Sequence, residues 1–204
     1  MSSKKINFNA ERRFKESLST RQPEFKASSQ VRVSRALVDP LVLNDALRWL
    51  REKEKSGIVR AKRLGSLGLT VFDSQQKGFR LSSHAPTSVQ EVTDLLSLHD
   101  SNIFEPTSAL AGGIQIFGSE IAPFVGLVFA GDGLALEQAR VKSLLAGPEM
   151  TAGVEPKKLR PHVTLGQQYS LERAREVIEG LKDKLPSSID FAPAEVIVRD
   201  NTKA

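Results

Sequence analysis

The sequence predicts an α+β protein in which strands and amphipathic helices interleave, with sheet on one side and helices on the other. Three observations carry that expectation. Short apolar runs with period-two alternation recur along the chain. Between them lie stretches whose apolar residues return at helical spacing. Capping acids, serines, glycines and prolines punctuate the boundaries.

Taken in order, "VRVSRALVD" (31–39) reads as the first strand. Asp39 before Pro40 is a helix start, and Leu43, Ala46, Leu47 and Leu50 form one stripe that Gly57 ends. "RLGSLGLTVFD" (63–73) is the second strand. "SVQEVTDLLSLHD" (88–100) is a helix with a Ser88/Glu91 capping box and Val89, Val92, Leu95 and Leu96 inward. "SALAGGIQIFG" and "PFVGLVFAGD" form a hairpin joined around Ser119 and Glu120, with a bulge at Gly112 and Gly113. Asp132 caps a helix carrying Leu136, Ala139, Leu144 and Leu145, closed by Gly147 and Pro148. "LRPHVTLG" (159–166) is the next strand. Ser170 opens a helix with Leu171, Ala174, Val177, Ile178, Leu181 and Leu185, stopped by Pro186, and "AEVIVRD" (194–200) is the last strand. Each half of the chain thus holds a strand–helix–strand arrangement with a further helix.

Composition narrows the function classes. The 204 residues suffice for one substantial domain, expected over 30–200. No cysteine is present, which excludes disulfides, thiolate nucleophiles and cysteine-ligated metal centres. No stretch reaches the apolar length of a membrane span, and the amino terminus has no secretory apolar core, so cytoplasmic residence is expected. The net charge is +5, and residues 1–29 hold seven cations against three glutamates. This basic arm suits nucleic acid or another polyanion, or is a solvated tail.

One stretch carries chemistry. In "KKLRPHVTLG" (157–166), His162 and Thr164 alternate on a strand and leave the same face. A histidine beside a hydroxyl fits proton transfer or phosphate binding, and it also fits an ordinary buried pair. No other pattern competes: the glycines of "AGDGLA" and "LGSLG" lack the spacing of a dinucleotide fingerprint or P-loop. No cluster has metal-ligand spacing, so neither a metal nor an organic cofactor is expected.

The element order together with "RPHVTLG" resembles the 2H phosphoesterases, the superfamily of 2′-5′ RNA ligase-like proteins and RNA 2′,3′-cyclic phosphodiesterases. The resemblance spans residues 31–199 as architecture and is specific over 159–166. It implies a bilobal, pseudo-symmetric fold, with antiparallel sheets lining a central cleft and helices outside. Each half of such a fold contributes a His-x-Thr or His-x-Ser strand. The second motif matches "PHVTL", making His162 the implied acid/base and Thr164 a phosphate ligand. The first motif falls on "SLGLTVF" (66–72), where Thr70 aligns with Thr164 and Gly68 stands in the position of the first histidine.

That glycine matters because two imidazoles with near-neutral pKa values would share the general base and general acid roles. His84, in the loop "FRLSSHAPTS", is the candidate replacement, or a surface histidine beside a helix start. His99 at a helix end reads as a capping residue. Lys157, Lys158 and Arg160 are placed to attract phosphate or to be solvated, and Tyr169 is the candidate stacking surface for a base. Phe117 and Phe129 read as core. Three functions stay open. The chain is a metal-independent phosphodiesterase on RNA ends or cyclic or 2′-5′ diesters, a non-catalytic RNA- or nucleotide-binding module, or an interaction protein with a relic cleft.

Overall fold

A computed structural model describes residues 29–75, 88–146 and 159–200. Residues 1–28 of the basic arm, His84, Lys157 and Lys158 lie outside the described residues, and Ser29 begins the first strand. The elements run β1 (Ser29–Leu37), α1 (Asn44–Lys55), β2 (Val59–Ala61), β3 (Gly68–Asp73), α2 (Val89–His99) and β4 (Thr107–Ser119). There follow β5 (Ala122–Phe129), α3 (Gly133–Leu145), β6 (His162–Gln168), α4 (Leu171–Leu181) and β7 (Ser188–Asp200).

The α+β class holds, but the strands expected as sheets of two lobes form one seven-stranded antiparallel sheet, ordered β2-β6-β3-β1-β7-β4-β5. A further β5–β6 ladder returns the order to β6, so six strands close on themselves and β2 extends the β6 edge. The reason is the reach of β6. It pairs with β5 along one side and with both β3 and β2 along the other, tying the two halves of the chain together.

Alternation sorts the two faces. Val31, Val33, Leu69, Val71, Val125, Leu127, Val163 and Leu165 are buried against the inward stripes of the helices, among them Leu47, Leu50, Val92, Leu96, Val141, Leu145, Val177 and Leu181. The intervening residues of these strands present the other face, which carries the site. Among the described residues, the most deeply buried charge is on β1. Arg35, fully buried on β1, donates to both Glu137 carboxylate oxygens at 2.8 and 2.9 Å and to the carbonyls of Asn102, Glu105 and Ala192. It thereby clamps α3 and the turn after α2 to β7, with its hydrogen-bonding capacity filled.

Several local expectations are corrected. Asp39 caps a 3-10 turn over Pro40–Leu43 through the Leu41 N–H, and the α-helix begins one turn later. The stretch 63–67 is not strand, because a 3-10 turn at Leu64–Ser66 precedes β3. Both Ser88/Glu91 capping-box bonds form, but Val89 is 48% exposed: residues of the first turn lie before the stripe meets the core. The hairpin turns at Glu120 and Ile121, since Ser119 pairs with Ala122 in the ladder. Asp132 makes no side-chain cap, and the buried face of α3 is Ala135, Gln138, Val141, Lys142 and Leu145, rotated from the expected stripe. The register shift between Ala111 and Gly113 is the bulge at the glycine pair, with Gly113 at φ 113°.

Candidate phosphate site on the open face of the sheet

The site grows from one ladder contact. Leu69 of β3 faces Val163 of β6, and both are buried. In antiparallel register, a contact at that pair sets Thr70 across from His162 and Gly68 across from Thr164. All four are half-exposed on the face opposite the core. Two tripeptides, "GLT" and "HVT", therefore run antiparallel about a shared apolar centre. On the other side of β6, His162 pairs with Val128 and Thr164 with Gly126.

His162 is held on three sides. Its Nδ1 lies 2.7 Å from the Arg160 carbonyl oxygen. A carbonyl only accepts, so Nδ1 carries the hydrogen and the neutral ring keeps its lone pair on Nε2. Phe117 stacks on the imidazole with centroids 4.0 Å apart and planes 23° off parallel, and Phe124 lies at 5.4 Å. Underneath, Gly126 leaves the room: a Cβ there would stand 3.0 Å from His162 Cδ2 and 3.1 Å from Phe117 Cε2. Burial pushes the imidazole pKa below its ordinary range, while the Arg160 carbonyl pulls the other way. Burial, the larger influence, favours a neutral ring, and the Nδ1 bond leaves its Nε2 as a hydrogen-bond acceptor.

Beside the first motif strand, β1 adds a cation that sequence reading missed. Arg32 of β1 donates from Nη2 to Thr70 Oγ1 at 3.2 Å. Because Thr70 accepts there, its own hydroxyl hydrogen is left for another acceptor, and a guanidinium stands beside it. The signal was available in parity. Val31 and Val33 face the core, so Arg32 had to face the sheet surface that Thr70 shares. Phe117 is likewise corrected from core to a ring on His162, whereas Phe129 packs edge-on against Phe191 in the interior.

Gly68 is tightly placed. A Cβ at this position would approach the Arg35 carbonyl oxygen to 2.9 Å, since β1 runs close alongside. A side chain therefore requires the backbone to move. Arg160 is exposed, and its side chain donates to the Leu159 carbonyl at 3.3 Å, while its own carbonyl orients His162. Tyr169 is 64% exposed one residue past β6, at the opposite end of that strand from His162. His99 ends α2. A hollow of about 470 Å³ adjoins the amino-terminal end of β6, bordered by Gln115, Val128, Arg160 and Pro161. Among the described residues, no three His, Asp or Glu side chains converge as a metal site would need.

No family model matches the chain. A search of characterised proteins returns no match. Among solved structures, the chain is similar to Kluyveromyces marxianus Usb1 with uridine monophosphate, at 9% identity over 85% of this chain and 98% of that one, with a TM-score of 0.46. It is also similar to E. coli LigT complexed with 3′-AMP, at 12% identity over 70% of this chain and 74% of that one, with a TM-score of 0.43. A conserved protein of unknown function from Agrobacterium tumefaciens gives 15% identity, 85% and 82% coverage, and a TM-score of 0.47. These likenesses concern the fold.

Proposed function

We propose that the chain is a divergent 2H phosphoesterase-like protein whose open sheet face takes the phosphate of an RNA end or a cyclic or 2′-5′ nucleotide diester. His162 serves as its one imidazole base. The observation that carries this reading is the antiparallel meeting of "GLT" and "HVT" about Leu69 and Val163. That arrangement gathers the Thr70 and Thr164 hydroxyls, the Arg32 guanidinium and the His162 Nε2 acceptor on one small surface. Hydroxyl and guanidinium donors suit phosphoryl oxygens, on which negative charge grows during displacement.

In hydrolysis, His162 Nε2 takes a proton from the attacking water as the new P–O bond forms. The bond from phosphorus to the departing sugar oxygen breaks, and solvent supplies that oxygen with its proton. Gly68 offers no second acid, so turnover is about 10²–10⁴-fold slower than a paired-imidazole site allows. Arg160 contributes through its carbonyl, and Tyr169 stands too far along the strand to stack on a nucleotide at His162. His84 belongs to this reading only as a further proton carrier.

A second reading, a binding module without turnover, is favoured by the packing at Gly68, where the neighbouring strand leaves no space for a side chain. Hydrolysis of a 2′,3′-cyclic nucleotide and a 2′-5′-linked dinucleotide under chelation, by wild type and His162→Ala, separates the two. Slow hydrolysis abolished by the substitution supports the enzyme. Saturable binding without hydrolysis supports the module, and hydrolysis indifferent to His162 overturns its role.

A further inference from the structure

A second cationic surface lies on the same face of the sheet as His162. Phe124, whose ring neighbours His162, pairs with Gln167 of β6, and Gln167 pairs with Arg60 of β2. Residues paired across antiparallel strands share a face, so Arg60 belongs to the surface that carries His162 and Thr164. An extra residue in β6, marked by the register shift opposite Val125 and Gly126, is what returns Gln167 to that face.

From Arg60 the chain continues through Lys62 and Arg63, and it is held in place. The Lys62 N–H donates to the Leu165 carbonyl at 2.9 Å, and Ser66 donates to the Arg63 carbonyl from both its N–H and its hydroxyl. With Arg51 of α1, these residues line an open groove of about 950 Å³ that also includes Ser66 and Gln167. Its four cations face one carboxylate, Glu54. Among the described residues, none of the four side chains makes an ion pair. The lining offers no large apolar side chain of the kind that anchors a protein partner.

We propose that this groove binds the sugar–phosphate backbone of a single-stranded RNA whose end lies at His162, so that the site favours oligonucleotides over mononucleotides. The inference rests on the phosphate reading of the His162 site. Thr164 and Gln167 are three positions apart, about 10 Å along the strand, a span covered by about three stacked nucleotides at 3.4 Å each. Cations aligned beyond the end site meet successive phosphates, and the Gln167 and Ser66 side chains add neutral donors.

The test compares wild type, the triple variant Arg60→Ala/Lys62→Ala/Arg63→Ala, the charge-keeping pair Arg60→Lys/Arg63→Lys, and Thr164→Val, all in the full chain. Binding of a fluorescent 12-nucleotide single-stranded RNA and of 3′-UMP is measured at several salt concentrations. The triple variant is expected to bind the oligomer at least ~10-fold more weakly, with a log–log salt slope shallower by about 2 for three lost phosphate contacts. The lysine pair keeps most of the affinity, and 3′-UMP binding and thermal midpoint stay as in wild type. An unchanged oligomer affinity and slope overturns the groove, as does wild type binding the oligomer no more tightly than 3′-UMP. If the triple variant loses the oligomer while Thr164→Val alters neither ligand, the groove stands and the His162 phosphate site falls.

Discussion

Leu69 and Val163 meet across β3 and β6 at the centre of two antiparallel tripeptides, which sets Thr70 beside His162 and leaves Gly68 beside Thr164. The asymmetry of that arrangement, one imidazole and one bare backbone position, shapes what the site can do.

Arg32 lends Thr70 its cation. Replacing it with alanine removes the 3.2 Å bond to Thr70 Oγ1 and the positive charge beside that hydroxyl. Arg32→Ala is expected to weaken nucleotide binding by about 1.5–3 kcal/mol, as for other charged hydrogen bonds, and to leave the unfolding midpoint nearly unchanged because the side chain is exposed. Calorimetric titration and thermal unfolding check both halves.

Restoring a histidine at position 68 does not restore a paired site. The added Cβ would meet the Arg35 carbonyl at 2.9 Å, and backbone cannot yield as a flexible side chain does. Gly68→His is expected to cost about 1–3 kcal/mol in denaturant unfolding, as overpacking does, with no gain in hydrolysis. A stable variant with a large rate gain would mean that β1 and β3 separate more readily than their pairing implies.

Arg35 is expected to be a stability residue. Arg35→Met leaves the Glu137 carboxylate and three carbonyls without their donor. Breaking one side of a buried pair costs about 3–5 kcal/mol, whereas the double change Arg35→Met/Glu137→Leu is expected to recover much of it. A double-mutant cycle by urea unfolding measures the difference.

Much of this was legible in the sequence, and the exceptions have physical causes. The element order apart from the short β2, the Ser88 and Ser170 caps and the glycine bulge depend on local patterns, and these formed. The α3 stripe was misread because Gln138 and Lys142 lie on its buried side, a placement set by tertiary packing that periodicity of apolar residues does not register. The shared face of His162 and Thr164 followed from strand alternation. Phe124 and Gly126 look like ordinary strand residues until the ladders bring them beside His162, whereas the parity of Val31 and Val33 already set Arg32 on the surface that Thr70 shares. Arg35 shares the parity of the core-facing Val31 and Val33, and the Glu137 carboxylate and the carbonyls that satisfy it are gathered only by the fold.

The depressed pKa of His162 fixes the sign of a pH effect. Burial holds the folded imidazole below its ordinary 6.5, against the smaller opposing pull of the Arg160 carbonyl. Above pH 6.5 the ring is neutral in both states and its contribution is fully present. As pH falls through the folded pKa, the unfolded chain has already bound the proton and that stability is lost. Urea midpoints are expected to fall below pH 6.5 more steeply for wild type than for His162→Gln, and the pH–rate profile is expected to rise with a midpoint below 6.5.

Phosphate is proposed to bind beside the His162 imidazole. The most direct measurement is an NMR pH titration of the His162 ring with and without saturating 3′-UMP. The ring is expected to titrate below 6.5 alone and its pKa to rise once phosphate lies against it, with amide shifts at Thr70 and Thr164. A ring whose titration and neighbouring amides ignore the nucleotide at saturation would contradict it.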